Sequence, residues 1–487
     1  MNDLAVLWLP LATFALAVLV LMVDVLAPPS RVRGARSPTG WIAALGLAAI
    51  FAASFVVRAR GPAAGGAYEA SAWTVFVQRI FLAAGVLGAL GAIDDVAAHA
   101  SRRQGEYWLL FLASLVGMTI LPGARDLVLV VVAFELMSIP LYVLAAYAKT
   151  DVPPGAEPRQ RSLASEASIK LYLVGATSTA VTLFGLALLT GMAGTSRLDA
   201  IGAAPLAPLS TVGLLFVLAG LGYKIGMVPF HMWIPDTYEG ARAPFVAFLS
   251  VAPKAAGAAV LATIFVFGFG AHRATWVPPL ALFAFLSMAV GNLLALAQTD
   301  LRRLLGYSGI AQMGTMLLAL AAGGTFGVAT MLFFLAAYLV TNLGAFLVVH
   351  ATAEAGGGFG LSGLSGLARR SPALAAALLA FLLSLAGIPF AVGFWAKLYV
   401  LLAAWRAGFA GLVVAALVLA VLGLFYYLRV LSAAYMGEGP DLPAPRPRAP
   451  LALAVALCLV GVVGLGAWPG PLVDAATRAA SALVAVR

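Results

Sequence analysis

Long apolar runs separated by short polar links cover the whole chain. Windows long enough to cross a bilayer, roughly twenty residues each, number about fourteen. They lie at approximately 4–27, 41–57, 72–93, 107–122, 125–148, 164–192, 208–228, 243–270, 277–298, 303–322, 325–352, 371–400, 405–436 and 450–469. The largest links, 149–163 and 436–449, are Pro-rich and charged, as flexible connectors are. The pattern predicts an all-α polytopic membrane protein in which 1–487 form a single membrane domain.

Two of these runs contain a similar internal break. Gly226-Met-Val-Pro-Phe-His-Met-Trp233 in the seventh run resembles Gly387-Ile-Pro-Phe-Ala-Val-Gly-Phe-Trp395 in the twelfth. Each places a proline inside an apolar run, where it removes a backbone donor and frees a carbonyl. Paired broken helices at matching positions indicate the core of an inverted-repeat transporter. Two ordinary proline kinks explain the same pattern equally well.

Composition and charge agree with a membrane protein. Of the 487 residues 63% are hydrophobic and 10% charged, and the mean hydropathy is +1.03. The net charge of +10 comes from basic residues in the links, which favours the positive-inside rule over a nucleic-acid partner. With the N-terminus outside, the inner links hold Arg31, Arg33, Arg36, Arg102, Arg103, Lys149, Arg159, Arg161, Arg242, Arg302, Arg303, Arg369, Arg370, Arg446 and Arg448. The outer links hold fewer, namely Arg58, Arg60, Arg125, Arg197, Arg273 and Arg406, so both termini are predicted on the outer, periplasmic face.

Metal and redox chemistry have few candidate ligands in this sequence. Cys458 is the single cysteine, and the four histidines are His99, His231, His272 and His350. One cysteine excludes a Cys-ligated iron–sulfur cluster, and no two histidines have the i,i+4 spacing of a metal or haem pair. The sequence therefore predicts neither a metal site nor a redox cofactor in this chain.

Charged residues inside the apolar runs are the main functional signal. Glu135, Lys170, Lys224, Lys254 and Lys397 lie in or beside such runs. A charge at the centre of the bilayer costs roughly 2.5–3.5 kcal/mol on insertion scales, so a chain that keeps several uses them for transport, proton relay or buried ion pairs. These five residues are predicted to form a proton relay.

The sequence neighbours of these charged residues suggest a different role for each. Glu135 precedes Pro140, which frees a carbonyl nearby and favours a hydrated spot, although a structural ion pair is the alternative. Lys224 has apolar neighbours on both sides and needs a partner or a water-filled cavity. Lys254 lies deep in its run among small residues and is the central candidate, while Lys397 follows the twelfth-run break.

Polar residues near the run ends suggest where protons are taken up. Glu166 and Lys170 are spaced i,i+4 and are predicted to face each other, either for uptake or as an interfacial salt bridge. His231, Asp236 and Glu239 lie in a segment, 229–243, that is predicted to be irregular and sheltered from lipid. These three are candidates for proton uptake or for holding the segment in place. A further group, Asp24, Asp94 and Asp95, is predicted to be interfacial.

Several motifs resemble one family of membrane subunits. They are Phe134-Glu-Leu-Met-Ser-Ile-Pro-Leu-Tyr142, Glu166-Ala-Ser-Ile-Lys170, Pro229-Phe-His-Met-Trp-Ile-Pro-Asp-Thr-Tyr-Glu-Gly240 and Ala247-Phe-Leu-Ser-Val-Ala-Pro-Lys-Ala-Ala-Gly257. They resemble the subunit N family of bacterial NADH:quinone oxidoreductase, respiratory complex I, more than its antiporter-like sisters, subunits L and M. The resemblance implies fourteen helices with inverted repeats of helices 4–8 and 9–13, in which helices 7 and 12 are discontinuous. The implied divisions are 1–105, 106–270, 277–436 and 450–487.

The resemblance also implies a function. Glu135 and Lys224 match the family's helix-five and helix-seven pair, and Lys170, Lys254 and Lys397 match its lysines on helices six, eight and twelve. A subunit of this kind translocates protons, driven by quinone reduction elsewhere in the enzyme, and carries no cofactor itself. NADH, FMN, iron–sulfur clusters and quinone are expected in partner subunits, and the expected neighbours in the bacterial inner membrane are subunits M, A, J and K. A subunit of a cation/proton antiporter and a non-conducting structural subunit are the alternatives.

Overall fold

The computed structural model describes residues 3–26, 37–57, 60–100, 103–147, 158–203, 205–437 and 442–485. Its helices are α1 (Asp3–Val6), α2 (Trp8–Leu26), α3 (Thr39–Ala53), α4 (Ala72–His99), α5 (Gln104–Ile120), α6 (Leu127–Ala146), α7 (Pro158–Ala193), α8 (Leu198–Ala203), α9 (Pro208–Ile225), α10 (Trp233–Gly240), α11 (Ala243–Leu249), α12 (Ala252–Leu261), α13 (Arg273–Leu296), α14 (Leu301–Ala322), α15 (Gly324–Thr352), α16 (Leu361–Leu364), α17 (Leu367–Arg370), α18 (Pro372–Ala386), α19 (Val392–Arg406), α20 (Ala410–Met436), α21 (Ala449–Ala467) and α22 (Gly470–Val484). One small hairpin joins β1 (Gly61–Ala63) to antiparallel β2 (Tyr68–Ala70).

The prediction of an all-α polytopic membrane protein is confirmed apart from that hairpin. Among the described residues, 12 helices are long and apolar enough to cross a membrane. Shorter apolar helices lie at Pro38–Ala53 and Pro372–Ala386. The total of about fourteen spans and the inverted repeats stay predictions, because the count depends on how the short and broken helices are counted.

The seventh apolar run is broken where the sequence predicted. The last residue of α9 is Ile225, and Gly226 adopts a left-handed conformation at φ 78°. Groups freed by the break find partners, because the Val228 amide donates to Ser287 Oγ at 2.9 Å and Trp233 Nε1 donates to the Tyr223 carbonyl at 3.0 Å. Backbone that leaves the helix within a membrane requires such internal partners.

The twelfth run, predicted at 371–400, consists of two helices. Gly387 ends α18 at φ 85°, and α19 starts at Val392. The Gly393 amide donates to Ser384 Oγ at 3.0 Å, which joins the two halves. A Cβ on Gly387 would lie 2.8 Å from Lys397 Cδ, so this position needs glycine for its backbone conformation and for the passage of the lysine chain.

The centre of the bundle is formed by the segment from Ala243 to Gly268, whose span is 100% buried, with α4, α9 and α15 packed against it. This segment continues from α12 into a π-helical turn at Ala262–Gly268. Only 33% of the span of α2 and 28% of that of α20 are buried, as expected for helices at the periphery of the bundle. Every residue of α12, by contrast, is buried.

The structure differs from the sequence prediction in two details. The link 149–163 is not all connector, because α7 begins at Pro158; 148–157 lie outside the described residues. The segment 229–243 is irregular at 229–232 and 241–242, as predicted, but forms the short helix α10 in between, which packs against α7 and α14. Asp95 is buried within the protein near the end of α4, and its predicted interfacial position stays a prediction. The positions of Arg31, Arg33, Arg36, Arg58, Arg102 and Lys149 also lie outside the described residues.

Candidate functional site

Lys254 occupies the most enclosed position of the five predicted relay residues. It follows Pro253 in the first turn of α12 and is 0% exposed. Its Nζ has no hydrogen-bond partner among the described residues and lies 5.6 Å from the centre of the Tyr238 ring. The hydroxyls of Tyr238 and Tyr338 are buried and equally without a protein partner. Buried polar groups without protein partners are where ordered water is retained.

Gly309 on α14 makes the space beside this amine. A Cβ at that position would lie 2.9 Å from Lys254 Nζ and 2.7 Å from the Tyr338 hydroxyl. Both polar groups therefore reach the same point on α14, and only the absence of a side chain leaves room between them. Nearby, Asn342 Nδ2 donates to Ser250 Oγ at 2.8 Å, one turn before Lys254.

Lys397 lies at the break between α18 and α19. Its Nζ donates to the carbonyl of Leu385 at 2.6 Å and to that of Ala386 at 3.2 Å. These carbonyls belong to the last turn of α18, where the helix leaves them without intrahelical partners and the dipole favours a cation. Gln312 Nε2 donates to the same Leu385 carbonyl at 2.8 Å and to the Tyr427 hydroxyl at 3.2 Å.

Small cavities lie on both sides of Lys397. One of about 20 Å³ is lined by Tyr338, Gln312, Ser384 and Lys397, among others, and so lies between Lys397 and the tyrosine that neighbours Lys254. A second of about 30 Å³ continues past Gln312 and Lys397 toward Asn292 and Tyr426. A water needs roughly 10–15 Å³ of such space and two or more polar partners, and both cavities meet this requirement.

Lys224 and Glu135 are close neighbours without an ion pair. Lys224 is 5% exposed, and its Nζ donates to the Tyr142 hydroxyl at 3.2 Å. The rings of Phe134, Tyr142 and Tyr223 surround the ammonium at 5.1, 4.9 and 5.5 Å, which stabilises a cation through the ring faces. Glu135 instead accepts a hydrogen bond from Thr179 Oγ1 at 2.8 Å beside a cavity of about 10 Å³.

Lys170 and two of the predicted uptake residues form a single cluster. Lys170 Nζ donates to Glu166 and to Asp236, each at 2.5 Å. Arg303 Nη1 donates to Asp236 and to Glu239, each at 2.7 Å. Five charged side chains from α7, α10 and α14 therefore meet at the partly exposed end of α10. The predicted pairing of Glu166 with Lys170 is confirmed, and the cluster extends it.

His231 is separate from this cluster. It lies in the break before α10, is partly buried, and shares no hydrogen bond or ion pair with Lys170, Asp236 or Glu239 among the described residues. Sequence reasoning missed several polar residues that surround the lysines: Tyr142, Thr179, Tyr238, Arg303, Gln312, Tyr338 and Tyr427. Apart from Arg303 these residues are uncharged, and uncharged polar residues are common in membrane helices, so only their position beside the lysines distinguishes them.

The arrangement suits transfer of protons rather than of larger solutes. An amine binds or releases one proton, hydroxyls pass it along hydrogen bonds, an amide holds its neighbours in place, and cavities of one or two waters complete a chain but do not admit a larger ligand. These groups offer an amine, hydroxyl and amide lining and not the thiolate or paired imidazole set of a redox metal. The site is a row of buried amines with polar gaps between them.

Comparison with known proteins identifies the class. A family model described as NADH:quinone oxidoreductase/Mrp antiporter, TM, matches residues 124–423, which include all of the predicted site residues. A subunit in the solved Mrp complex from Dietzia sp. has a TM-score of 0.85 at 22% identity over 99% of this chain and 98% of that chain, a likeness of fold alone. Broken helices that frame buried lysines define an antiporter-like membrane subunit.

Closer relatives identify the family. NADH-quinone oxidoreductase subunit N of Moorella thermoacetica is 36% identical over 485 residues, 99% of both chains. The Heliobacterium modesticaldum subunit N is 38% identical over 84% of this chain and 85% of its own. A chain of Thermus thermophilus respiratory complex I with bound aureothin is 31% identical with a TM-score of 0.78, over 96% and 98%. The chain belongs to the subunit N family of NADH-quinone oxidoreductase, which confirms the resemblance drawn from the motifs.

Proposed function

We propose that this chain translocates protons across the membrane as part of NADH-quinone oxidoreductase. The observation that carries the proposal is Lys254, which is fully buried and has no protein partner among the described residues, beside the Tyr238 ring and near the unpaired Tyr338 hydroxyl. A permanently charged amine at such a site would be costly, and a permanently neutral one would be replaceable by an apolar residue. An amine that gains and loses a proton through intermittent water contact explains why the chain keeps it.

The proposed route begins at the charged cluster of Glu166, Lys170, Asp236, Glu239 and Arg303, which takes up protons from the cytoplasm. His231 stays a separate candidate for uptake. Protons pass to Lys254, then through the Tyr338 cavity and Gln312 to Lys397, and leave on the outer side. The second cavity beside Lys397 also reaches Leu401, which lies one turn closer to the end of α19 that holds the outer-link residue Arg406.

Lys224 and Glu135 are proposed to control loading. With no ion pair joining them, Lys224 rests on the Tyr142 hydroxyl and Glu135 on Thr179. If Lys224 moved to Glu135, the carboxylate would favour the charged form of the lysine. Separation of the two side chains would favour release of the proton from the lysine. Quinone reduction in other subunits is proposed to drive this exchange.

We infer the complex and the membrane in which this chain works from its relatives. Curated relatives bear the name of a subunit of this enzyme, and we infer that this chain assembles with other membrane subunits, among them M, A, J and K, in the bacterial inner membrane. We also propose that both termini face the periplasm, that no cofactor binds this chain, and that NADH, FMN, iron–sulfur clusters and quinone belong to the partners. The redox reaction would take place in those partners.

The test is proton pumping by the complete enzyme in liposomes, with quinone reductase activity measured in the same vesicles. Lys254→Met should abolish or strongly reduce the pH gradient formed per NADH oxidised, because no other titratable group replaces the amine. Thr263→Val is the matched control, since Thr263 is a buried polar residue of the same span whose hydroxyl has no partner. It should pump normally.

Three results would overturn the proposal. Full coupled pumping by complexes with Lys254→Ala and Lys397→Ala would exclude these lysines from the proposed relay. Exchange of a metal cation for protons by the chain without quinone turnover would favour a cation/proton antiporter. A gradient unaffected by every lysine substitution would favour a structural subunit.

A further inference from the structure

A second group of ionisable side chains lies apart from the lysine row, where α4, α15 and the residue before α11 meet. Asp95 on α4 accepts hydrogen bonds from Arg242 Nη2 and, at 3.1 Å, from Arg242 Nε. His99, one turn later, has its Nδ1 3.3 Å from Asp95 Oδ1 and 2.6 Å from Arg242 Nη2. Glu354, just after α15, lies 4.0 Å from Arg242.

His350 on α15 completes the group and is not explained by the rest of the fold. Its side chain is 5% exposed and forms no hydrogen bond with any described residue. Yet one ring nitrogen of His350 and one carboxylate oxygen from each of Asp95 and Glu354 lie within 4.8 Å of one another. A buried imidazole without a partner is costly, and this one is directed at two carboxylates.

We propose that Asp95, His350 and Glu354 form a binding site for a divalent transition-metal ion of the Zn²⁺ type. His350 and Glu354 are spaced i,i+4, which places both on one face where α15 passes into the π-helical turn Ala353–Gly357. Mixed imidazole and carboxylate ligands select Zn²⁺ and its neighbours in the first row over Mg²⁺ or Ca²⁺.

The geometry is close to what such an ion requires. Ligand atoms about 2.0–2.2 Å from a tetrahedral Zn²⁺ lie about 3.3 Å from each other. The separations of up to 4.8 Å must therefore contract by an ångström or more. Glu354 can supply that movement, because it is 52% exposed beyond the end of the regular helix.

Arg242 gives the site a competitor. Its guanidinium occupies the Asp95 carboxylate and contacts His99 Nδ1. A metal ion that binds Asp95 competes with the guanidinium, because both Asp95 carboxylate oxygens already accept hydrogen bonds from Arg242. Displacement also frees His99 Nδ1, already 3.3 Å from Asp95, to act as a fourth ligand. The site thus exchanges one cation, the guanidinium, for another.

This inference does not depend on proton translocation, since none of these residues belongs to the lysine row. Its consequence is mechanical: a bound ion would fasten the end of α4 to the end of α15 and release Arg242, which directly precedes α11. Because α11 leads into the helix that carries Lys254, occupancy at this surface can reach the centre of the bundle. The sequence predicted no metal site because no two histidines have i,i+4 spacing. In this group one histidine, His350, has that spacing with a glutamate, Glu354, instead.

The test is equilibrium dialysis of the full-length chain in detergent against buffered free Zn²⁺, with bound metal measured by elemental analysis. His350→Ala and Glu354→Gln should each weaken the highest-affinity site by roughly tenfold or more. Arg242→Gln should tighten it by about tenfold, because it removes the competing cation. His272→Ala, a histidine outside the cluster, should bind as the original chain does.

Substitution of a ligand should weaken Zn²⁺ binding, whereas substitution of Arg242 should strengthen it. A purely structural role of these residues does not predict opposite effects on affinity. Glu354 is exposed, so Glu354→Gln keeps the test valid even if His350→Ala disturbs folding. Zn²⁺ binding that is unchanged by Glu354→Gln and His350→Ala would overturn the proposal. So would weaker binding in Arg242→Gln, or a loss in His272→Ala as large as that in His350→Ala.

Discussion

The side-chain amine of Lys397 donates to the main-chain carbonyl of Leu385 at 2.6 Å, across the break that separates α18 from α19. Gln312 donates to the same oxygen from α14. The end of a broken helix thus holds both a relay amine and the polar residue that leads toward Lys254. A break that the sequence shows only as a proline in an apolar run is therefore part of the proposed proton route.

Substitution of Lys397 can separate its hydrogen bonds from its proton chemistry. Arginine keeps a cation and donors for the Leu385 and Ala386 carbonyls but does not release its proton in proteins. We expect Lys397→Arg and Lys397→Met both to lose pumping by the reconstituted enzyme, while only Lys397→Met destabilises the chain. Pumping retained by Lys397→Arg would mean that the residue merely caps α18.

Gly309 provides a test that changes no titratable group. The methyl of Gly309→Ala would enter the space between Lys254 Nζ and the Tyr338 hydroxyl, at 2.9 and 2.7 Å from them. We expect a severalfold drop in pumping rate, because the methyl excludes water from this gap. Gly464→Ala on α21, whose methyl meets no atom of the described residues within 4 Å, should pump near the original rate. Equal rates for the two variants would contradict a hydrated gap here.

The Tyr142 hydroxyl is predicted to set how readily Lys224 exchanges its proton. Tyr142→Phe removes the only hydroxyl that Lys224 contacts among the described residues but keeps the aromatic ring over the ammonium. A hydrogen bond to a charged group contributes ~1.5 kcal/mol, which corresponds to roughly a tenfold change in rate. The pumping rate of the reconstituted enzyme should change by about this factor. Tyr172→Phe, whose ring packs edge-on against Tyr142, is the control and should have little effect.

Arg303 is predicted to matter for uptake more than for stability. Its contacts with Asp236 and Glu239 are partly exposed, and such pairs contribute ~0–1 kcal/mol to stability. Arg303→Gln should therefore leave thermal stability nearly unchanged while slowing pumping, since two carboxylates lose their shared cation. Arg302→Gln removes a neighbour that pairs with Asp300 instead and should not slow it. Similar pumping by both variants would exclude the cluster from uptake.

Close packing of α7 on α9 gives a prediction for stability alone. A Cβ on Gly185 would lie 2.6 Å from the Gly213 carbonyl, whereas one on Gly191 of the same helix meets no atom within 4 Å. Gly185→Ala should destabilise the chain by about 1–3 kcal/mol through overpacking. Its thermal unfolding midpoint in detergent should fall below that of Gly191→Ala. Matching midpoints would show that the two helices can separate without cost.

The sequence by itself determined the class of protein, the two helix breaks and the choice of Lys254 as the central candidate. Each depends on local information: the length of an apolar run, a proline within it, and the cost of a charge far from either end. The family followed from contiguous motifs. Properties that are written along one stretch of chain can be recognised without knowing which helices are neighbours.

Only the tertiary structure decided which polar groups meet. It joins Lys170 to Asp236, leaves Lys224 and Glu135 on separate partners, and brings Arg242 to Asp95 across 147 positions of sequence. Contacts of this kind depend on how distant helices pack, and they bury Asp95 within the protein. Hydrogen bonds act over about 3 Å, so a shift of one helix by a fraction of a turn would change every such partner.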